Sequence, residues 1–180
     1  MSLFFQDPLA DTEALIRRVY AYVAYRIGDG PLAEDVTSDV FERALRYRDR
    51  FDARRGEPAA WLFGIARRCV ADAVAARTTD PVPSDNVSLG SGGADAFELE
   101  GHVVRRVDLA RAIAALDERD RELLALRYGG DLTARQIADL SGVRTNAIEV
   151  ALHRALARLR STLGGGRDDE LPAALLSVRV

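Results

Sequence analysis

The feature that most restricts the fold of this 180-residue chain is the segment 133–160, TARQIADLSGVRTNAIEVALHRALARLR. Thr133 and Gln136 have the spacing of a capping box, in which each side chain accepts a hydrogen bond from a free backbone N–H at a helix start. Gly142 predicts a tight turn, and Asn146 precedes a second run of apolar residues at helical spacing. That run consists of Ile148, Leu152, Ala155, Leu156 and Leu159. The segment therefore predicts two helices joined by a short turn.

This pattern favours DNA binding, although two packed helices with a glycine turn also occur in proteins that never contact DNA. Thr145, Glu149 and His153 lie off the apolar stripe, on a face that is free to meet a ligand. Residues 104–163 carry eleven arginines and eight acidic residues, so their charge attracts DNA only weakly. We therefore expect this part of the chain to need a partner for affinity.

Apolar residues recur at helical spacing along the whole chain, whereas strand signals are almost absent, which predicts an all-α fold. Three helices are expected before the segment 133–160, over about 12–27, 32–47 and 58–77. Their predicted inward positions include Ile16 and Leu45.

Changes in composition divide the chain. Residues 78–102 combine Pro, Gly, Ser and acidic residues with little periodicity, which predicts a flexible acidic linker. The predicted architecture is therefore two small helical domains, at 1–77 and 103–163, followed by a short tail at 164–180.

An acidic row is predicted on the outer face of the second helix. Glu34, Asp35, Asp39 and Glu42 surround Phe41, which gives a charged rim around an aromatic side chain. Such a face suits protein docking, but a merely solvated helix face would show the same pattern.

Arginines are concentrated around the third helix. Arg54 and Arg55 precede it, and Arg67, Arg68 and Arg77 lie within it, so they can follow a phosphate backbone or be ordinary exposed side chains. The polar loop 48–57 can form a pocket for a base that has left its stack. Trp61 can stack on such a base, but its place on the apolar stripe favours a core role.

Four stretches, in order, resemble the extracytoplasmic-function (ECF) group of bacterial RNA polymerase sigma factors in the sigma-70 family. They are AEDVTSDVF at 33–41, WLFGIARRCVADAVAAR at 61–77, LDERDRELLALRY at 116–128 and LTARQIADLSGV at 132–143. The resemblance implies a protein that binds core RNA polymerase, directs it to specific promoters and assists melting of the minus-ten region. The implied partners are the β′ clamp coiled coil and the β flap of the polymerase, promoter DNA and, commonly in this group, an anti-sigma factor.

The resemblance also implies roles for individual residues. It assigns polymerase binding to Glu34, Asp35, Asp39, Phe41 and Glu42. It assigns minus-ten DNA contacts to Arg54, Arg55, Trp61, Arg67, Arg68 and Arg77. It assigns minus-thirty-five DNA contacts to Arg135, Arg144, Thr145, Asn146, Glu149, His153 and Arg154.

The chain departs from the usual pattern of the family at several of these places. Ser38 replaces the usual Gln of the docking helix, and Arg68 replaces the usual Asn. Glu149 and Ala151 stand where two basic residues are usual, so the DNA target is not transferable from the family. The competing hypothesis is a helix-turn-helix regulator that acts without polymerase and uses its N-terminal domain for dimerisation or sensing.

Other classes of protein are poorly supported. The single cysteine, Cys69, has no partner for a disulfide and no companions at metal-ligand spacing, which favours a buried thiol. His102 and His153 have no nucleophile, phosphate loop or metal cluster nearby, so we expect no enzyme, cofactor or metal. Neither a signal peptide nor a membrane span is evident, and we expect a cytoplasmic protein without a membrane partner.

Overall fold

A computed structural model describes residues 7–54, 56–79 and 109–163 of the chain. Every regular element in these ranges is helical, which confirms the predicted all-α class. The helices are α1 (Thr12–Ile27), α2 (Pro31–Tyr47), α3 (Pro58–Thr79), α4 (109–114), α5 (Glu118–Leu124), α6 (Ala134–Ser141) and α7 (Thr145–Thr162). A 3₁₀ turn (Arg48–Arg50) follows α2, and a π-helical turn (Ala125–Gly129) continues α5. Most of the predicted linker 78–102, the tail 164–180 and Arg55 lie outside the described residues.

Residues 7–79, here called the first module, are built from α1, α2 and α3. Pro31 occupies the first turn of α2, where its missing N–H costs no helical hydrogen bond. The buried stripe of α2 runs through Val36 and Val40 to Ala44, and it packs on α1 and α3. This stripe leaves Leu45 about a quarter turn away from the core.

Two predicted core positions are therefore wrong. Leu45 is 61% exposed and Ile16 is 44% exposed. In α1 the buried positions are Leu15, Val19 and Val23, and Ile16 follows the first of them by one residue, which turns its side chain away from the stripe. Periodicity alone therefore assigned to the core one residue beside each buried stripe that is in fact exposed.

Residues 109–163, here called the second module, contain the predicted two-helix segment. Thr133 accepts a hydrogen bond from the Gln136 N–H (3.2 Å), and Gln136 accepts one from the Thr133 N–H (2.8 Å), which completes the capping box. Gly142 has φ of +68°, a left-handed conformation that glycine adopts without strain. The predicted helix, turn and second helix are thus present in α6, Gly142 and α7.

The two modules share one continuous hydrophobic core. The π-helical turn packs on α1, and α6 packs on α3. Phe63 of α3 is fully buried and meets the ring of Tyr22 edge to face, with 5.5 Å between the ring centres. This contact between modules did not follow from any local pattern in the sequence.

We predict that Thr133→Ala lowers the free energy of unfolding by about 1 kcal/mol, because it removes the side-chain acceptor that caps α6. Chemical denaturation monitored by circular dichroism measures the change. The matched control is Thr162→Ala, which removes a hydroxyl that only donates to the Arg158 carbonyl near the end of α7. Equal losses in the two variants would contradict the capping role.

Candidate nucleic-acid and polymerase surfaces

The N-terminal half of α7 exposes a continuous face. Asn146, Glu149 and His153 are exposed at intervals of three and four residues, and Val150 beside them is 43% exposed. Opposite this face, Ile148 and its buried neighbours hold α7 on the second module. The exposed face therefore combines amide, carboxylate, imidazole and methyl groups, which are the groups that contact base edges in a major groove.

Basic side chains border this face. Arg135 is exposed in the first turn of α6, Arg144 is exposed at the N-cap of α7, and Arg154 is exposed further along α7. Thr145 is half-buried at the start of α7. The structure thus places the seven residues predicted for minus-thirty-five DNA on α6, the turn and the first part of α7.

The orientation of α7 depends on an ion pair that the sequence analysis did not identify. Asp120 of α5 is 4% exposed and pairs with Arg158 of α7. A buried carboxylate that loses its cation is strongly destabilising, so this pair fixes one position of α7 against α5. Asp120 lies thirteen residues before Thr133, where the predicted helix-turn-helix begins, and no spacing rule linked it to Arg158.

The loop after the 3₁₀ turn lies beside a cavity of about 400 Å³ between the modules. Trp61 is half-buried and its ring meets Phe51 edge to face, with 5.6 Å between the ring centres. Arg50 and Arg68 also line the cavity. The Trp61 side chain therefore both packs on the core, as favoured, and forms part of a wall beside the loop.

Arg54, Arg67 and Arg77, which were also predicted for minus-ten DNA, lie apart from this cavity wall. Arg54 is exposed, and its backbone N–H donates to Asp52 (3.0 Å), which shapes the loop. Arg67 points to the second module, and Arg77 donates to the Ile27 carbonyl (3.3 Å). Of the five predicted residues that the structure describes, Trp61 and Arg68 lie together at the cavity.

The acidic face of α2 lies on the outer side of the first module. Glu34, Asp35 and Asp39 are exposed, and no ion pair is found for them within the described ranges. Glu42 pairs with Arg46 one turn later (2.6 Å). Phe41 is only half-exposed and packs against the core.

Leu45, at 61% exposed, is the most exposed large apolar residue of α2. Sequence reasoning placed it in the core and gave the apolar anchor to Phe41. Only the observed position of the buried stripe shows that Leu45 extends the acidic face.

A charged cluster lies between the modules. Arg26 of α1, whose side chain is 7% exposed, pairs with Glu122 of α5 (2.7 Å) and with Glu118. Arg67 of α3 reaches the other oxygen of Glu122 (2.9 Å). The Tyr22 hydroxyl donates to the same carboxylate, at 3.1 Å from each oxygen. Burial, and then the Glu122 carboxylate, raise the pKa of Tyr22 far above its ordinary value.

These surfaces define a class of protein that combines a helix-turn-helix in one module with an exposed acidic helix face in the other. The comparison with family models agrees, since Sigma-70 region 2 matches residues 12–79 and Sigma-70 region 4 matches residues 106–159. No helix within the described part of the chain is both long and apolar enough to cross a membrane.

Several curated proteins resemble the chain over most of its length. The ECF RNA polymerase sigma factor ShbA of Streptomyces griseus is 36% identical, over 72% of this chain and 69% of ShbA. RpoE of Cereibacter sphaeroides, also an ECF sigma factor, is 33% identical over 71% of this chain and 70% of that protein. The chain belongs to the ECF sigma factors, which bind core RNA polymerase and direct it to promoters. A regulator that acts without polymerase is not favoured.

Two solved structures share the fold. The sigma factor RpoE in complex with the anti-sigma factor NepR from Bartonella quintana has a TM-score of 0.67 at 21% identity, over 87% of this chain and 96% of that chain. CnrH in complex with the cytosolic domain of CnrY has a TM-score of 0.58 at 19% identity, over 91% of this chain and 89% of that chain.

We predict that the free energy of unfolding falls as the pH rises above about 10, partly because of Tyr22. Its folded pKa exceeds the unfolded value of about 10, so its contribution is complete below pH 10 and is lost as the pH rises toward the folded pKa. Tyr22→Phe should therefore cost about 1 kcal/mol at pH 8 and reduce the slope above pH 10. Urea denaturation between pH 8 and pH 11 measures both.

The control for this prediction is Tyr47→Phe, since Tyr47 is exposed on α2 and lies away from Glu122. It should leave the pH dependence unchanged. Parallel curves for Tyr22→Phe and the unmodified protein would contradict the prediction.

Proposed function

We propose that the acidic face of α2 docks on the β′ clamp coiled coil of core RNA polymerase. The observation that carries this proposal is the exposed, unneutralised row of Glu34, Asp35 and Asp39. Such a row attracts a basic partner and sets the orientation of docking, while the exposed Leu45 supplies apolar area at its edge. The β flap is the proposed contact for the second module.

The cavity beside the loop 51–57 is the proposed site for minus-ten DNA. Phe51 and Trp61 offer aromatic surface on which an unstacked base can rest, and Arg50 and Arg68 offer positive charge for the phosphates. Arg54 and Arg67 extend the basic surface on either side. In this proposal the first module captures a base as the promoter opens, and the chain performs no bond-making chemistry itself.

The exposed face of α7 is the proposed reader of the minus-thirty-five element. Asn146 can bond an adenine edge, Glu149 can accept from a cytosine amino group, and Val150 can touch a thymine methyl. Arg135, Arg144 and Arg154 would hold the phosphates on either side. Because Glu149 repels phosphate, affinity has to come from the polymerase as well as from α7.

The proposed domain organisation has a polymerase and minus-ten domain at 1–77, a linker at 78–102, a minus-thirty-five domain at 103–163 and a tail at 164–180. The two solved structures that share the fold are both complexes, one with the anti-sigma factor NepR and one with the cytosolic domain of CnrY. We infer that this chain also binds an anti-sigma factor. Its proposed site of action is the cytoplasm, where polymerase and promoter DNA are found.

We predict that reversing the charge of Asp35 or Asp39 to Arg weakens binding to core polymerase by at least about tenfold, because a basic partner is then repelled. Fluorescence anisotropy of the labelled full chain with core polymerase measures the affinity. Glu13→Arg, in an exposed position on α1, is the control and should bind as the unmodified protein does. If the Asp35 and Asp39 variants bind core polymerase as tightly as the Glu13→Arg control does, the docking proposal is wrong.

We predict that two substitutions on α7 change promoter binding in different ways. The measurement is the affinity of the holoenzyme for promoter DNA. The promoter is identified by mapping where polymerase binds the genome with and without this chain. Asn146→Ala should cost about 1–3 kcal/mol and relax preference at one base pair, because it removes a base-edge contact. Arg144→Ala should weaken binding to all DNA sequences alike, because it removes a phosphate contact. It should also reduce by about 1 the slope of the logarithm of the binding constant against the logarithm of the salt concentration. Arg17→Ala, in the first module, serves as the control. Identical sequence preferences in all three proteins would show that α7 does not read bases.

A further inference from the structure

Two large apolar side chains of the second module are exposed within the described ranges, and both belong to the helix-turn-helix. Val143, in the turn before α7, is 46% exposed, and Val150, in the second turn of α7, is 43% exposed. The other large apolar side chains of α5, α6 and α7 lie in the core or pack against it. Val150 is thus the one large apolar side chain that the described part of α7 presents to a ligand.

Val150 lies on the side of α7 opposite to its buried stripe. Ile148 and Leu152, which hold α7 on the module, come two residues before and two residues after it, and residues two apart point to nearly opposite sides of a helix. Asn146 and His153 are exposed one turn before and one turn after Val150. Val150 therefore occupies the centre of the exposed face, where a helix in the major groove comes nearest to the base edges.

The fold of the second module does not call for valine at this position. Val150 is outside the core, and a β-branched side chain forms a helix less well than alanine because it loses side-chain freedom. Alanine stands on the same side of the helix at positions 147 and 151. Valine at position 150 therefore contributes apolar contact area and not stability of α7.

The polar groups of this face limit which base it can recognise. Residues 145–153 contain neither arginine nor lysine, so the centre of the face lacks the bidentate contact that most often selects guanine. Glu149, beside Val150, is exposed and has no ion pair within the described residues. Its carboxylate repels N7 and O6 of guanine, since all of these atoms are acceptors. Arg144 and Arg154 stand on either side of the centre, where they suit phosphates.

Thymine presents the chemical group that fits Val150. Its C5 methyl projects into the major groove, where the other three bases show no apolar group. Contact between this methyl and the valine methyls removes apolar area of both from water. Uracil differs from thymine only by the missing methyl, so Val150 can recognise thymine without any hydrogen bond.

We propose that Val150 makes the minus-thirty-five element require a thymine, which α7 recognises through the C5 methyl group. This inference rests on the proposed role of α7 as the reader of that element, and it names the chemical group that is read. Arg144 and Arg154 hold the phosphates and so set how deeply α7 enters the groove. Specificity at this base pair then comes from apolar contact, while affinity comes from the phosphates and from polymerase.

The experiment measures the affinity of holoenzyme containing the full chain for a mapped promoter. Each thymine of the minus-thirty-five element is replaced in turn by deoxyuridine, which removes one methyl and leaves base pairing unchanged. At one position the replacement should weaken binding about fourfold, the factor that corresponds to one buried methyl group. At the same position, 5-methylcytosine should bind about fourfold more tightly than unmodified cytosine, because it restores the methyl.

Val150→Ala tests whether the methyl is recognised by this residue. The variant should bind the thymine promoter about fourfold more weakly and should no longer distinguish thymine from deoxyuridine. It should fold normally, since alanine favours the helix. The matched control is Val74→Ala, which makes the same change at a 44% exposed position of α3 and should keep the full difference between the two bases.

The outcomes separate this inference from the proposed role of α7. If no deoxyuridine replacement weakens binding, if Val150→Ala keeps the same difference as Val74→Ala, or if the mapped elements share no thymine, the inference is overturned. If Asn146→Ala still changes the preference at a base pair in those cases, α7 reads DNA and only the role of Val150 fails. If neither Asn146→Ala nor Val150→Ala changes any base preference, the proposed reader fails and this inference fails with it.

Discussion

The packing of α1 against the π-helical turn is the constraint on which the arrangement of the whole chain depends. It joins two helical modules that are far apart in sequence, and it buries Tyr22 and Phe63 at their junction. A Cβ at Gly129 would lie 2.9 Å from the Cα of Tyr22, and a Cβ at Gly130 would lie 2.5 Å from the Phe63 ring, so the packing at this junction requires glycine at both positions. The charged cluster around Glu122 adds a second condition at this junction. The buried Arg26 and Glu122 must be paired with opposite charge, in addition to the close fit of the two backbones.

Local structure was predictable because local interactions determine it. The capping box of Thr133 and Gln136 and the turn at Gly142 each act within a few residues, and both are found as predicted. The all-helical class followed from periodicity for the same reason. Ile16 and Leu45 lie at the edge of the apolar stripes of α1 and α2, and the sequence pattern wrongly placed them in the core. The packing angle between neighbouring helices decides which edge of a stripe is buried, and periodicity does not contain that angle.

Long-range pairs were not predictable. Arg67 fits a phosphate contact by position in the sequence, yet its observed partner is a carboxylate on a helix that begins about fifty residues later. The same holds for Asp120 with Arg158 and for the wall that Asp139 adds beside Trp61. No single-sequence pattern relates residues across such separations. The sequence therefore proposed residues for each candidate surface, but it did not show which of their side chains pair with other parts of the chain.

The distribution of charge gives this arrangement a consistent physical meaning. Glu34, Asp35 and Asp39, which face outward on α2, form no ion pair within the described residues, whereas Glu122, which faces inward, meets two arginines and a tyrosine. A chain with net charge −3 is repelled by DNA as a whole, so its basic surface attracts DNA only where acidic neighbours are absent. Moving one module away from the other removes such neighbours from Arg67 without changing any residue. The charge that Arg67 presents to solvent therefore depends on the contact between the modules as well as on its own helix.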